Sequence, residues 1–299
     1  MDLKNPPSFF YASYLYTMKL KDILIEARLY SLNIKEVLEK FLSFENRTMI
    51  LFDTETTGLE ANTSYIQLTH IAAMAFDGST FKELGEYSKK INLGDQTKRA
   101  IEDPESSEYK QLAKDRERHF KKYNKQDLHP SDALKMTGYE GGNAQRVDEK
   151  QGLIEFEQFV NSYPNVVLIA HNATFDMKTI QARRRFHKLP PMKRVPVLDT
   201  VKISRFFFIP ALLSIQGNIE AERILAGLLA KTKYKSYSSS LGNLAKVFEI
   251  KIDGWHDAKE DVKMLMGVLQ KMIIFLKQNA SVDIKDQQAT AAKRFRNMK

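Results

Sequence analysis

The stretch ILFDTETTGLE, residues 50–60, constrains this chain more than any other. An apolar run that starts at Met49 reads as a strand entering a core, yet it meets Asp53 and Glu55 within a few residues. Side chains alternate faces along a strand, so positions i and i+2 project to the same side. Asp53 and Glu55 therefore point together, and two like charges that close disfavour each other's ionised form. A chain tolerates this most easily when a cation sits between them. On this stretch alone two readings stay open: a metal site, or a solvated strand end with acidic punctuation. The Thr-Thr-Gly that follows favours the first.

The remaining periodicity sets the fold class. Strands are expected over 48–55, 65–76 and about 80–92, the last two joined by a hairpin turn at Asp77-Gly78. A helix over 151–162 leads through Pro164 to a short buried strand, VVLIA, at 166–170. A helix over about 174–187, a strand near 195–199 and helices around 201–213, 219–230 and 239–248 follow. A long helix over roughly 257–278 turns Val262, Leu265, Met266, Leu269, Met272 and Ile273 inward. Three early strands followed by alternating strands and helices imply an α/β layer fold with a mixed sheet. Residues 18–43 read as two short amphipathic helices, with Ile34, Val37, Leu38, Phe41 and Leu42 on one face of the second. Residues 1–47 thus form an N-terminal helical extension, which docks on the core or meets a protein partner. The charged stretch of about 95–130 is read as a helical insertion or a mobile flap, and residues 279–299 as a basic tail.

Composition narrows the chemistry. No cysteine is present among the 299 residues, which excludes disulfides, thiolate metal sites and a cysteine nucleophile and fits a cytoplasmic protein. No apolar stretch approaches the roughly 18 residues of a membrane span, and the aromatic-rich opening MDLKNPPSFFYASYLYTM lacks a cleavage pattern, so no membrane or signal peptide is expected. The net charge of +9 suggests a polyanionic partner. Two clusters carry the excess: residues 110–125, and residues 181–195 (QARRRFHKLPPMKRV), which hold six Lys/Arg and no acid. Each reads as a solvated face or a nucleic-acid track.

Two further acidic positions repeat the opening oddity. In LIAHNATFDMKTI a buried strand ends at Ala170, and Asp176 falls in the first turn of the next helix, beside its positive dipole end. In DGWHDAKEDV, His256 and Asp261 are five apart, some 140° around a continuous helix. Both reach one site only if His256 sits in the loop before the helix, with Asp261 in its second turn. Asp257 between them is an N-cap candidate, and Trp255 is assigned to core packing.

An acidic pair at a strand end, then HNATFD, then HDAKEDV, in that order, resembles the DnaQ-like 3′–5′ exonuclease family in its DEDDh branch. The Tyr-type branch would need a tyrosine where Asp257 stands. SLGNLAKVFEI at 240–250 and VLDTVKISR at 197–205 are also similar to the family. The resemblance covers roughly residues 48–277, a domain taken as 48–278. It leaves the extension, the charged insertion and the tail unexplained. It implies a ribonuclease H-like three-layer fold, a central mixed sheet flanked by helices. It also implies a nuclease that hydrolyses single-stranded DNA from the 3′ end and releases nucleoside 5′-monophosphates. An exoribonuclease that trims RNA and a polymerase-associated proofreading or adaptor subunit are the alternatives.

The resemblance maps four metal-holding acids onto Asp53, Glu55, Asp176 and Asp261 and a general base onto His256. Four carboxylates without Cys or clustered His are hard oxygen ligands that suit two Mg²⁺ or Mn²⁺ ions. Asp53 would bridge both; Asp176 contributes directly or through water. Thr56, Thr57, Gly58 and Leu59 resemble the segment that receives the strand's 3′ end, although Leu59 also reads as a core leucine. Asn172 is read as a phosphate or metal-water partner, and Phe175 as a packing or base-stacking residue. Arg183, Arg184 and Arg185 are read as tracking the phosphodiester backbone.

Overall fold

The computed structural model describes residues 34–58, 66–123, 129–136, 139, 145–215, 217–229, 237–251 and 257–282. Six strands form one mixed sheet: β1 (Thr48–Thr56), β2 (Leu68–Asp77), β3 (Glu83–Ile91), β4 (Arg146–Val147), β5 (Val166–Ala170) and β6 (Val197–Asp199), in the order β4-β3-β2-β1-β5-β6. β2 runs antiparallel to β1 and β3, while β5 is parallel to both β1 and β6. β1 lies at the centre with β5 beside it, and both are largely buried on two faces, as strands covered by helices on both sides must be.

The helices are α1 (Ile34–Phe41), α2 (Asp95–Glu102), α3 (Ser107–Tyr123), α4 (Pro130–Met136), α5 (Glu149–Asn161), α6 (Ala173–Phe186), α7 (Thr200–Ile203), α8 (Ile209–Ser214), α9 (Ile219–Leu228), α10 (Leu241–Val247) and α11 (Ala258–Gln278). A widened π turn, Ser204–Phe208, joins α7 to α8. Phe156 of α5 and Ile180 of α6 pack with Ile50, Phe52 and Ile71 on one sheet face. Val262, Leu265 and Leu269 of α11 pack with Met49, Leu51 and Met74 on the other. This is the three-layer arrangement that the family resemblance implies, around the mixed sheet expected from the element order.

Several expectations need correction. The β2–β3 connection is longer than a two-residue turn at Asp77-Gly78: Asp77 caps it, accepting from Ser79 N and Thr80 N at 3.1 and 2.8 Å, and Phe81, not Gly78, takes positive φ. Gly78 is required for space, since a Cβ there would lie 2.0 Å from the Phe44 carbonyl oxygen. The two-residue β4 and the short α4 carried no periodicity to announce them. Of the N-terminal extension, α1 is docked: Ile34 and Val37 are fully buried with α11, and Leu42 and Phe44 belong to the same core. The first expected helix of that extension lies outside the described residues. The charged insertion is helical, α2 and α3, with Ala100 and Leu112 packing on Ile66 as a small cluster of their own. No described helix is long and apolar enough to cross a membrane.

Candidate active site

The acids converge at the end of β1. Carboxylate oxygens of Asp53, Glu55 and Asp261 all lie within 4.8 Å of one another, close enough to hold one cation. β1 supplies the first two from the face that α11 covers, and α11 brings Asp261 across. Asp261 closes the first turn of α11, not the second as expected: its N–H donates to the Asp257 carbonyl at 2.9 Å. Asp257 is the N-cap, its carboxylate accepting from Lys259 N at 3.0 Å. Two ion pairs fasten this helix start to β3: Lys90 with Asp257 at 3.8 Å and Lys259 with Glu86 at 2.6 Å.

Asp176 arrives from the opposite layer. It is 2% exposed, and its Oδ1 accepts from the Thr54 hydroxyl at 2.7 Å and the Thr54 N–H at 3.2 Å. Thr54 lies between the two β1 acids and points away from them, so it fastens Asp176 to the same strand end. Asp176 stands outside the three-carboxylate cluster yet close enough to act on it electrostatically. Burial pushes the Asp53 carboxyl well above its usual range, with Asp176, Glu55 and Asp261 adding repulsion. Burial and then Asp261, Asp176 and Asp257 push Glu55 up to about 8. Asp176 rises to about 7, with burial outweighing its bonds to Thr54, and Asp261 to about 6 through burial and the neighbouring Asp257 and Glu260. No Lys or Arg among the described residues pairs with Asp53, Glu55 or Asp261.

The segment after the acids is shaped by its own hydrogen bonds. The Thr56 hydroxyl donates to the Gly58 carbonyl at 2.7 Å. Thr57 is fully buried, donates from its N–H to Gln67 O and accepts Gln67 N at its hydroxyl, so its side chain builds the turn from within. A Cβ on Gly58 would stand 2.7 Å from the end of the Ile66 side chain. Asn172, exposed and left-handed at φ 71°, leaves its side chain uncommitted to capping α6, and Phe175 is half-buried one turn on. Leu59, Trp255 and His256 lie outside the described residues.

The arginine run requires a correction. Arg183 and Arg184 are 3% and 1% exposed and cannot meet a phosphodiester strand. The Arg183 guanidinium spans both oxygens of buried Glu149, at 2.7 to 3.1 Å, and Arg184 holds Glu157 and the Pro190 carbonyl. Only Arg185 is exposed. The physical reason is helical phase: seven residues after inward-facing Asp176 puts Arg183 back on the buried stripe.

Two organising residues were not foreseen. Glu149 accepts from Leu68 N at 2.9 Å, besides Arg183 and His187. Leu68 sits at a bulge, where β1–β2 pairing slips from Glu55↔His70 to Thr56↔Leu68. Asp199 accepts from Asn172 N and from Val201 N, both at 3.1 Å, and so holds the left-handed corner before α6 while capping α7. The Asp-Thr that follows the apolar strand in VLDT is an N-cap signature and was legible; Glu149 had no local signal.

No protein-family model matches the chain. It is similar to the PolC-type DNA polymerase III of Streptococcus pneumoniae serotype 2, 27% identical over 243 residues, 80% of this chain. The chain spans 12% of the length of the curated relatives it matches. Among solved structures, Escherichia coli exonuclease I in complex with a dT13 oligonucleotide superposes with TM-score 0.51 at 15% identity, over 77% of this chain and 41% of that one. The zinc-bound form of the E. coli exonuclease I–single-stranded DNA complex gives 0.52 at 16%, over 78% and 41%. The fold is therefore shared with E. coli exonuclease I, and both comparisons agree with the resemblance drawn from the three acidic motifs.

Proposed function

We propose that this chain is a metal-dependent 3′–5′ exonuclease that shortens single-stranded DNA from its 3′ end and releases nucleoside 5′-monophosphates. The observation that carries this reading is the meeting of Asp53, Glu55 and Asp261 within 4.8 Å at a core strand's end, with no cationic side chain among the described residues to neutralise them. Such a crowd of half-buried carboxylates is stable as anions only around a cation. An all-oxygen donor set fits Mg²⁺ or Mn²⁺. Two such ions would supply Lewis acidity at phosphorus, on the side of the attacking water and on the side of the departing oxygen.

The chain's own residues do the rest. Asp53, Glu55 and Asp261 would hold the ions that activate the attacking water and steady the departing oxygen. Asp176, locked by Thr54, adds negative charge without freedom to move. The Thr56–Gly58 turn, tied to Gln67, would receive the terminal nucleotide. His256, five residues before Asp261 in the sequence, would take the proton of the water that attacks phosphorus as the bond to the 3′ oxygen breaks. The exonuclease I structures, one of them holding a dT13 oligonucleotide, and the similarity to a DNA polymerase favour DNA over RNA. Because the match spans 12% of the polymerase relatives, a proofreading role beside a polymerase is the second reading. Either role belongs in the cytoplasm.

The test is degradation of matched 5′-labelled single-stranded DNA and RNA with Mg²⁺, Mn²⁺ or EDTA, beside Asp53→Ala. A metal-dependent ladder shortening from the 3′ end, faster on DNA and absent in the variant, is expected. A ladder that survives D53A would sink the assignment, and faster RNA cleavage would move it to the exoribonucleases.

A further inference from the structure

Correcting the arginine run leaves a different surface at the end of α6. Phe186 is 46% exposed, and two neighbouring side chains hold its ring in place. The Arg183 guanidinium lies 4.1 Å from the ring centroid, and His187 meets the ring edge-on at 5.0 Å. Arg183 is itself immobilised by its two-oxygen contact with buried Glu149. The ring is thus held from one side by a buried cation, and the rest of it faces solvent. Arg185 and Lys188, within two residues of Phe186 in the sequence, and Lys193 in the segment after α6 are exposed, and none has an ion-pair partner among the described residues. Glu157, beside Lys193, is committed to Arg184. A helix C-terminus attracts cations through its dipole, which accounts for Arg185 alone. It accounts neither for Lys193 beyond the helix nor for the fixed aromatic.

The same residues tie this surface to the acidic site. Glu149, which holds Arg183 and His187, also holds Leu68, the partner of Thr56 across the β1–β2 pair. Asp176 begins α6 at the acids, and Phe186 ends it ten residues on, about 15 Å along the axis.

We propose that Phe186, together with the exposed cations Arg185, Lys188 and Lys193 at and beyond the end of α6, is a stacking platform for single-stranded nucleic acid upstream of the 3′ end. An aromatic face with phosphate-binding cations around it suits a strand read without regard to sequence. The inference deepens the exonuclease reading and rests on it only for direction, because binding can be measured without cleavage.

The test is fluorescence anisotropy with labelled dT20 and dT2, with Ca²⁺ replacing Mg²⁺ to suppress turnover. F186A weakens dT20 binding about tenfold and leaves dT2, shorter than the 15 Å separation, within twofold. F186W retains dT20 affinity, and its indole emission is quenched by the oligonucleotide. R185A/K188A/K193A lowers the slope of log affinity against log salt by about 2, at roughly 0.7 per lost phosphate contact. Equal loss on dT2 and dT20, or no quenching in F186W, overturns the platform. So does an unchanged dT20 affinity in F186A combined with lost binding of an oligoglutamate peptide, which would make the surface a site for acidic protein. If the wild-type chain cleaves nothing yet these binding differences hold, the platform stands and the exonuclease reading falls.

Discussion

Asp53, Glu55, Asp176 and Asp261 all have carboxyl groups raised by burial, with repulsion from neighbouring carboxylates adding to it, the last three to about 8, 7 and 6. In the unfolded chain such groups ionise near 4. Between those values the metal-free folded chain binds more protons than the unfolded one, so its stability falls as pH rises from about 4 to 8. Cations compete with the same protons. Two outcomes follow at this scale: the melting temperature in EDTA declines from pH 5 to pH 8, and Mn²⁺ affinity measured by calorimetry climbs over pH 6 to 8. Asp53→Asn removes one repelling charge, so it flattens the first curve and abolishes the second. A melting temperature that rises with pH in EDTA would contradict the electrostatics described. The acids themselves were legible in the sequence, because residues that crowd like charges at a strand end leave a conspicuous pattern. Thr54 was not, since a threonine between two acids looks like ordinary strand composition until its partner on another layer is seen.

At the level of elements, what the sequence reveals depends on length. β1, β5, α6 and α11 were found within a residue or two, because each runs long enough for its alternation or its helical stripe to show. The bulge after Glu55 was invisible: Gln67, Leu68 and Thr69 continue a strand pattern, and the register slip is known only from the pairing. Bulges re-aim side chains beside active sites, and here Glu149 accepts the Leu68 N–H at the slip while Arg183 neutralises it. Burial alone would raise the Glu149 carboxyl, but bonds from His187 and Arg183 hold it below its usual value. The pair is therefore a positioning device for Glu55 and Thr56. R183M should lower Mn²⁺ affinity about tenfold besides its cost in stability, which for a broken buried pair is about 3–5 kcal/mol. R184M is the control: it is equally buried but bonded to Glu157, Leu153 and Pro190, away from the bulge. It should lower the melting temperature and leave Mn²⁺ affinity within twofold. Equal effects of the two on the metal would mean that Arg183 only supports packing.

Across the whole molecule, the boundary expected at residue 48 cuts through a core. The motifs begin with β1, so a resemblance drawn from motifs starts the domain there; packing starts it earlier. Ile34 and Val37 are fully buried against α11, and the Ile34 N–H donates to the Val282 carbonyl at 3.2 Å. Phe44 and Arg47 carbonyls enclose Gly78 in the β2–β3 connection, and Gly78 N donates to Arg47 O at 2.9 Å. The core therefore begins no later than residue 34. Deleting residues 1–47 strips four buried apolar side chains from one layer: Ile34, Val37, Leu42 and Phe44. Truncations of large buried side chains cost about 2–5 kcal/mol each, against a total stability of about 5–15 kcal/mol. The chain lacking 1–47 should be largely unfolded or aggregated on size-exclusion chromatography at 25 °C. A cooperative, unshifted melt after removal of 1–47 would make residues 34–47 a removable partner-binding arm, and would return the domain boundary to the start of β1.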